Sequence, residues 1–376
     1  MTSLSPHSEF AARLQARLPV PASASFDPGA RSPSWSEEEF EALALDLFRI
    51  QFESVAPYRA FCLARDSAPR NVHSWREIPA IPAAAFKEFE VTSLPPAQRA
   101  RWFRSSGTTQ EIPSRHFHDL ESLELYERSV WPWFHRHLLE ELESFQLLVL
   151  TPPPAAAPES SLVHMFETVR RNLGESGAGF TGRIAASGVW EIESDATWRR
   201  LQSSVDQAKP VVLLGTAIGF LDLLDALEKR DLKFALPPGS RILETGGYKS
   251  RSRTMEKREL YRALETRLGV PELNIVSEYG MTELSSQAYD HKTGVAPAQP
   301  RWFRFPPWAR LRIVSPETGR ELPDGECGLI QVFDLANVRS VLAMQTSDLA
   351  RNHADGFELL GRAPQAEARG CSLSSQ

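Results

Sequence analysis

The chain has 376 residues, 42% hydrophobic and 24% charged, an ordinary globular composition that is too long for one small module. Those values exclude a disordered, collagen-like or coiled-coil chain. Its 42 basic and 48 acidic residues leave a net charge of −6 with no strongly basic block, so a nucleic-acid partner has little electrostatic support.

Residues 1–35 are rich in Pro, Ser and Ala and read as a loosely held lead-in, without the apolar run of a signal peptide. Ser36 and Glu39 then make a capping-box pattern, and Phe40, Leu43, Leu47 and Ile50 recur at helical spacing. Together they predict a helix from about Ser36 to Ala64. Turns at Pro79, Pro82, Pro95 and Pro96 lead to a loop rich in Ser and Thr that begins at Ser105.

From there helices and buried strands alternate. Asp119 to Leu142 reads as a long helix, Phe145 to Leu150 as a strand and Ser161 to Leu173 as a shorter helix. The strand Val211 to Leu214 precedes the helix Leu221 to Lys229, and Arg241 to Glu244 precedes the helix Arg253 to Leu268. Leu273 to Val276 is a fourth strand. Short, fully apolar strands between helices predict a parallel sheet covered on both faces. Ligands of such sheets lie at the carboxyl ends of the strands, so the loops there are where chemistry is expected. After about residue 290 four β-rich runs, Leu311 to Val314, Leu329 to Phe333, Val341 to Met344 and Phe357 to Leu360, predict a β-meander or small barrel.

Cys62, Cys327 and Cys371 are too few and scattered for a disulfide framework or a four-cysteine zinc site. They fit a reducing, cytoplasmic setting, with Cys62 and Cys327 read as packing residues. The best membrane candidate, Val211 to Leu227, is broken by Gly215, Gly219, Asp222 and Asp225 and is shorter than the roughly 20 residues a span needs. Gly177 to Gly182 matches a dinucleotide fingerprint but follows a helical end instead of a strand. The pairs His116/His118 and His135/His137 have no further ligand cluster to complete a metal site.

Three loops concentrate chemistry. In Arg104 to Gln110, the hydroxyls and freed N–H groups of Ser105, Ser106, Gly107, Thr108 and Thr109 suit an anion cradle, although the lysine of a P-loop is absent. In Leu243 to Ser252, Gly246 and Gly247 let the backbone approach a flat ligand. In Ser277 to Gln287, Tyr279 and Gly280 supply an aromatic face beside a glycine, Thr282 a hydroxyl for phosphate, and Glu283 a hard oxygen ligand for magnesium.

In this order the segments SSGTT, ETGGYK, YGMTE and TSDLA, followed by Gly361-Arg362, resemble the adenylate-forming enzymes: acyl-CoA synthetases, adenylation domains and luciferase-like ligases. The resemblance spans Ser105 to Arg362 and implies binding of ATP and Mg2+. It makes Asp348 a ribose ligand and Arg362 a second ribose or phosphate contact. The chain departs from the family at Gln110, at Pro113-Ser114-Arg115 and at Ser347. It also ends 14 residues after Arg362, so the expected architecture is the family's N-terminal portion, parallel α/β sheets plus a small β-barrel, without the mobile C-terminal domain.

That brevity is similar to the acyl-protein synthetase branch, the fatty-acid-activating subunits that serve the reductase feeding bacterial luciferase. The branch implies a fatty acid substrate, an acyl reductase subunit as partner and an acyl-accepting cysteine near the C-terminus, which here is Cys371. Lys249 stands as the candidate to replace the missing domain's lysine. The implied divisions are a lead-in at 1–35, an α/β part with the phosphate loop at 36–205, an α/β part with the adenine and magnesium loop at 206–290, a β-rich part at 291–362 and a mobile tail at 363–376. Two alternatives stay open: delivery of the acyl group to CoA, a carrier-protein thiol or an amine, and an inactive nucleotide-binding scaffold.

Overall fold

The computed structural model describes residues 4–19, 35–105, 112–174, 179–246, 255–295 and 301–363. The Pro- and Ser-rich start contains a helix, Pro6–Gln15, capped by Ser5, whose hydroxyl accepts the Ser8 N–H at 3.1 Å. Its Phe10, Ala11 and Leu14 are buried, and Leu18 follows them into the core. Reading residues 1–35 as a loose lead-in therefore fails for residues 5–18. Four apolar side chains in one short window were masked by the polar composition around them.

The capping box at Ser36 and Glu39 forms as expected, with both reciprocal hydrogen bonds at 3.1 Å. The single helix predicted over 36–64 is instead two, Glu37–Ser54 and Ala56–Leu63, broken at an extended Val55. Pro57 is the cause. Its ring removes a backbone donor and is tolerated only in a first turn, so a new helix starts there. The long helix runs Leu120–Phe134 and continues as a π-turn, His135–Leu139, next to Pro132. Cys62 is buried and its thiol is pushed up to about 12 by desolvation, whereas Cys327 is exposed and does not pack.

The expected parallel sheet is present. Gln146–Val149, Val211–Thr216, Arg241–Thr245 and Ile275–Tyr279 lie side by side in chain order, all parallel, and Ala288–Tyr289 adds an antiparallel edge. Helices Ala217–Lys229 and Lys257–Leu268 cover one face over Leu148, Leu213, Ile242 and Ile275. Helices Leu120–Phe134 and Ser161–Asn172 cover the other over Leu147, Val212, Leu243 and Val276. Apolar residues on both faces of each strand are what such burial requires. The sheet draws Gln146–Val149 and Val211–Thr216 together, so it runs across residue 205.

The β-rich end is an antiparallel meander of Ala309–Val314, Cys327–Asp334, Ala343–His353 and Gly356–Arg362. Ile81–Pro82 joins it in parallel against Met344 and Gln345. A separate hairpin, Arg101–Arg104 with Arg115–His118, brackets the Ser/Thr-rich loop. Gly182, from the dinucleotide-like run, pairs in another hairpin with Ile192, and a Cβ there would collide with the backbone of Thr151 and Pro152. It is a packing glycine.

Candidate active site

The carboxyl ends of the parallel strands bring Thr216, Thr245 and Tyr279 to one edge. Gly246 leaves its strand with φ +75°, a left-handed conformation that favours glycine, and a Cβ there would meet nothing within 4 Å. Among the described residues nothing stands in the way of a flat ligand approaching the backbone at Gly246.

Tyr279 ends its strand buried, with Phe303, Phe305 and Phe357 edge-on at 5.6 to 6.2 Å between ring centres. Its hydroxyl donates to Asp348 Oδ2 at 2.9 Å. Burial, and then the Asp348 charge, hold the phenol well above its usual range, so it stays a donor. Asp348 pairs in register with Arg362 across the meander, and the Arg362 Nε lies 3.6 Å from Asp348 Oδ1. Three expected nucleotide residues, Tyr279, Asp348 and Arg362, therefore converge although they come from two different sheets.

The loop after Tyr279 is held on both sides. The Thr282 carbonyl accepts from His116 Nδ1 at 3.0 Å, and its hydroxyl lies 3.5 Å from Ser161 Oγ at the start of a helix. The Nδ1 contact requires the Nδ1–H tautomer of His116, and burial lowers that ring to about 4, so it is neutral. Glu283 is buried and its carbonyl accepts from Asn337 Nδ2 at 2.9 Å. Asp334 accepts the Ser285 N–H at 2.9 Å and the Ser286 hydroxyl at 2.8 Å. Ser105 closes the base of the loop between Arg101–Arg104 and Arg115–His118, its hydroxyl accepting the Ser114 N–H at 3.0 Å. Ser106, Gly107, Thr108, Thr109, Gly247, Lys249 and Cys371 lie outside the described residues.

Several buried titratable groups escaped the sequence reading. Glu244 accepts from Ser277 Oγ at 2.7 Å and Tyr261 OH at 3.1 Å, with Lys257 Nζ at 3.5 Å. Asp290 accepts the Ser277 N–H at 2.7 Å among His291, Lys257 and Arg301, and these partners overcome desolvation to hold it at about 2. Glu278, beside Tyr279, accepts from Thr245 Oγ1 and is pushed up to about 7 by burial. For Glu244 and Glu278 the available signal was a carboxylate near the carboxyl end of a buried strand. The His116 and His118 rings lie 4.3 Å apart between centres, tilted by 51°, and both are buried. Among the described residues no group of three or more His, Cys, Asp and Glu could hold a metal.

A four-stranded parallel sheet with its loops gathered against a small antiparallel sheet is the fold of the adenylate-forming ligases. The chain resembles the open form of a 2-hydroxyisobutyryl-CoA ligase crystallised with its acyl-AMP and CoA. The TM-score is 0.61 at 12% identity, covering 92% of this chain and 76% of that one. The same ligase in its thioesterification state gives 0.61 over 88% and 69%.

Residues 24–376 match the family described as "Acyl-protein synthetase, LuxE", and the chain belongs to that family; it is a ligase. Two long-chain-fatty-acid–luciferin-component ligases are among its relatives. The one from Aliivibrio fischeri is 20% identical and the one from Vibrio harveyi 23% identical, each over 90% of this chain and 89% of the relative. Among the described residues no helix is long and apolar enough to cross a membrane.

Proposed function

We propose that the protein activates a long-chain fatty acid with ATP to an acyl-adenylate, releasing pyrophosphate. It then takes the acyl group onto Cys371 as a thioester and passes it to an acyl reductase subunit. The observation that carries the nucleotide reading is the convergence of Tyr279, Asp348 and Arg362 at the carboxyl ends of the parallel strands. The family membership and the relatives' names support the fatty acid and the acyl-protein product.

In this reading Asp348 accepts from the ribose hydroxyls, Arg362 pairs with ribose or phosphate, and Tyr279, Gly280, Gly246 and Gly247 border the adenine. Ser105, Ser106, Gly107, Thr108, Thr109 and Thr282 donate to phosphate oxygens. Fixed donors around the α-phosphate stabilise the charge that develops as the carboxylate attacks. Glu283 suits Mg2+ that arrives with the nucleotide, since such ions keep waters and phosphate ligands and need only one or two carboxylates. Mg2+ supplies neutralisation of phosphate charge. Lys249 is the candidate cation for the α-phosphate or the substrate carboxylate, and the cytoplasm is the proposed setting of the reaction.

Intact-protein mass spectrometry after incubation with MgATP and a panel of fatty acids tests the proposal. Wild type gains a hydroxylamine-labile acyl mass that Cys371→Ser lacks, while pyrophosphate release persists in the variant. An adduct that survives in Cys371→Ser would sink the self-acylation step. Pyrophosphate release with no adduct in wild type would point to an external acceptor.

A further inference from the structure

Glu278 occupies an unusual place for a carboxylate. It lies in the strand Ile275–Tyr279, 7% exposed, one residue before the Tyr-Gly pair. In register it faces Thr245, the residue before Gly246. Thr245 Oγ1 donates to its Oε2, while Oε1 is turned toward position 280, where a Cβ would collide with it. The carboxyl thus sits between the glycine turns that follow two adjacent strands, the edge where ligands of such sheets lie.

Its neighbour Glu244 has hydrogen bonds from Ser277 and Tyr261 and the Lys257 ammonium nearby, and is accounted for as a structural acid. Among the described residues Glu278 has one such donor, Thr245 Oγ1, and no ammonium or guanidinium beside it. The titratable groups that face it are Glu244 from the adjoining strand, Tyr126 from helix Leu120–Phe134 and Tyr289 from the paired edge strand, all acids. Among the described residues no lysine or arginine contributes to its proton affinity.

We infer that Glu278 is the base of the acyl-transfer half-reaction, taking the proton of the attacking thiol as its sulfur adds to the acyl carbon of the adenylate. The inference rests on the proposed function and assigns that site a further catalytic residue. In the step the S–H bond breaks and the proton moves to the Glu278 carboxylate. The S–C bond forms, the bond from the acyl carbon to the phosphate oxygen breaks, and AMP leaves with that electron pair. No electrons are exchanged with any other group.

The energetics agree with this position. A base works best when its pKa is near the operating pH, and burial holds Glu278 at about 7, below the roughly 8.5 of a free thiol. A fully ionised carboxylate here would repel the fatty acid's own carboxylate. A group that titrates near 7 carries its proton while that charge is present and releases it once the acyl group is a neutral mixed anhydride.

The test separates the two half-reactions in wild type and Glu278→Gln, whose amide oxygen still accepts from Thr245. Adenylation is followed by pyrophosphate exchange. Acyl transfer is followed with external thiols, one alkyl thiol that is protonated at pH 7 and one aryl thiol that is already ionised. The expected result is that Glu278→Gln loses about 100-fold more in transfer to the alkyl thiol than in adenylation, and under about threefold with the ionised thiol.

Wild-type transfer to the alkyl thiol should rise with pH through an inflection near 7 that the variant lacks. An equal loss with both thiols, or no such inflection in wild type, would overturn the role of Glu278; the second reading needs no variant to fold. Absence of acyl-adenylate in wild type would overturn the proposed function itself and this role with it.

Discussion

Two buried carboxylates near the strand ends have opposite proton affinities for reasons that lie in their neighbours. Asp290 is held at about 2 by His291, Lys257 and Arg301, and Glu278 is pushed up to about 7 because desolvation outweighs the Thr245 hydrogen bond. A depressed folded pKa gives Asp290 a contribution of about 2 kcal/mol that is present above pH 4 and lost as pH falls through about 2. The raised value of Glu278 works the other way, so its contribution is lost as pH rises through about 7. Asp290→Asn should lower stability at pH 7 by about 3 kcal/mol, and the gap to wild type should narrow between pH 4 and 2. Urea denaturation across that range checks this; a gap independent of pH would refute the charge argument.

Elements were legible wherever a few consecutive residues carried a local signal. The Ser36 and Glu39 box started its helix, and apolar runs marked all four parallel strands. The misses have local causes too. Pro57 split one predicted helix, and a short amphipathic stretch at residues 6–15 was hidden by Pro and Ser around it. Because Phe10 is fully buried against the helix Glu37–Ser54 region of the core, Phe10→Ala should cost about 3–4 kcal/mol. Thermal or urea unfolding measures it. A loss under about 1 kcal/mol would return the segment to the status of a loose lead-in.

At the scale of the molecule, the loop after Tyr279 joins the two sheets. Ser285 and Ser286 bond to Asp334 at the end of a meander strand, and Asn337 reaches back to the Glu283 carbonyl. Gln51, from a helix near the N-terminus, holds the Asn337 side of this joint. Its Nε2 donates to the Asn337 carbonyl at 2.7 Å and the Val338 carbonyl at 3.2 Å, and its Oε1 accepts the Leu342 N–H at 2.8 Å. Gln51→Leu would strand these buried backbone groups, each worth about 1–3 kcal/mol when unsatisfied. A loss of at least about 3 kcal/mol in urea unfolding is expected, with a raised KM for ATP because the Glu283 loop loosens. Unchanged stability would show that the joint does not depend on Gln51.

By itself the sequence determined the alternation of strands and helices, the meander that follows it and the loops rich in Gly, Ser and Thr, because caps, turns and apolar periods act within a few residues. The family likeness was readable for the same reason, as short motifs in a set order. Only the tertiary structure decided that Tyr279 bonds to Asp348, 69 residues away, that His116 buttresses Thr282, and which carboxylates are neutralised and which keep a proton. Proton affinity depends on how much water is removed and which charges arrive from distant segments, and no local stretch of sequence carries either quantity.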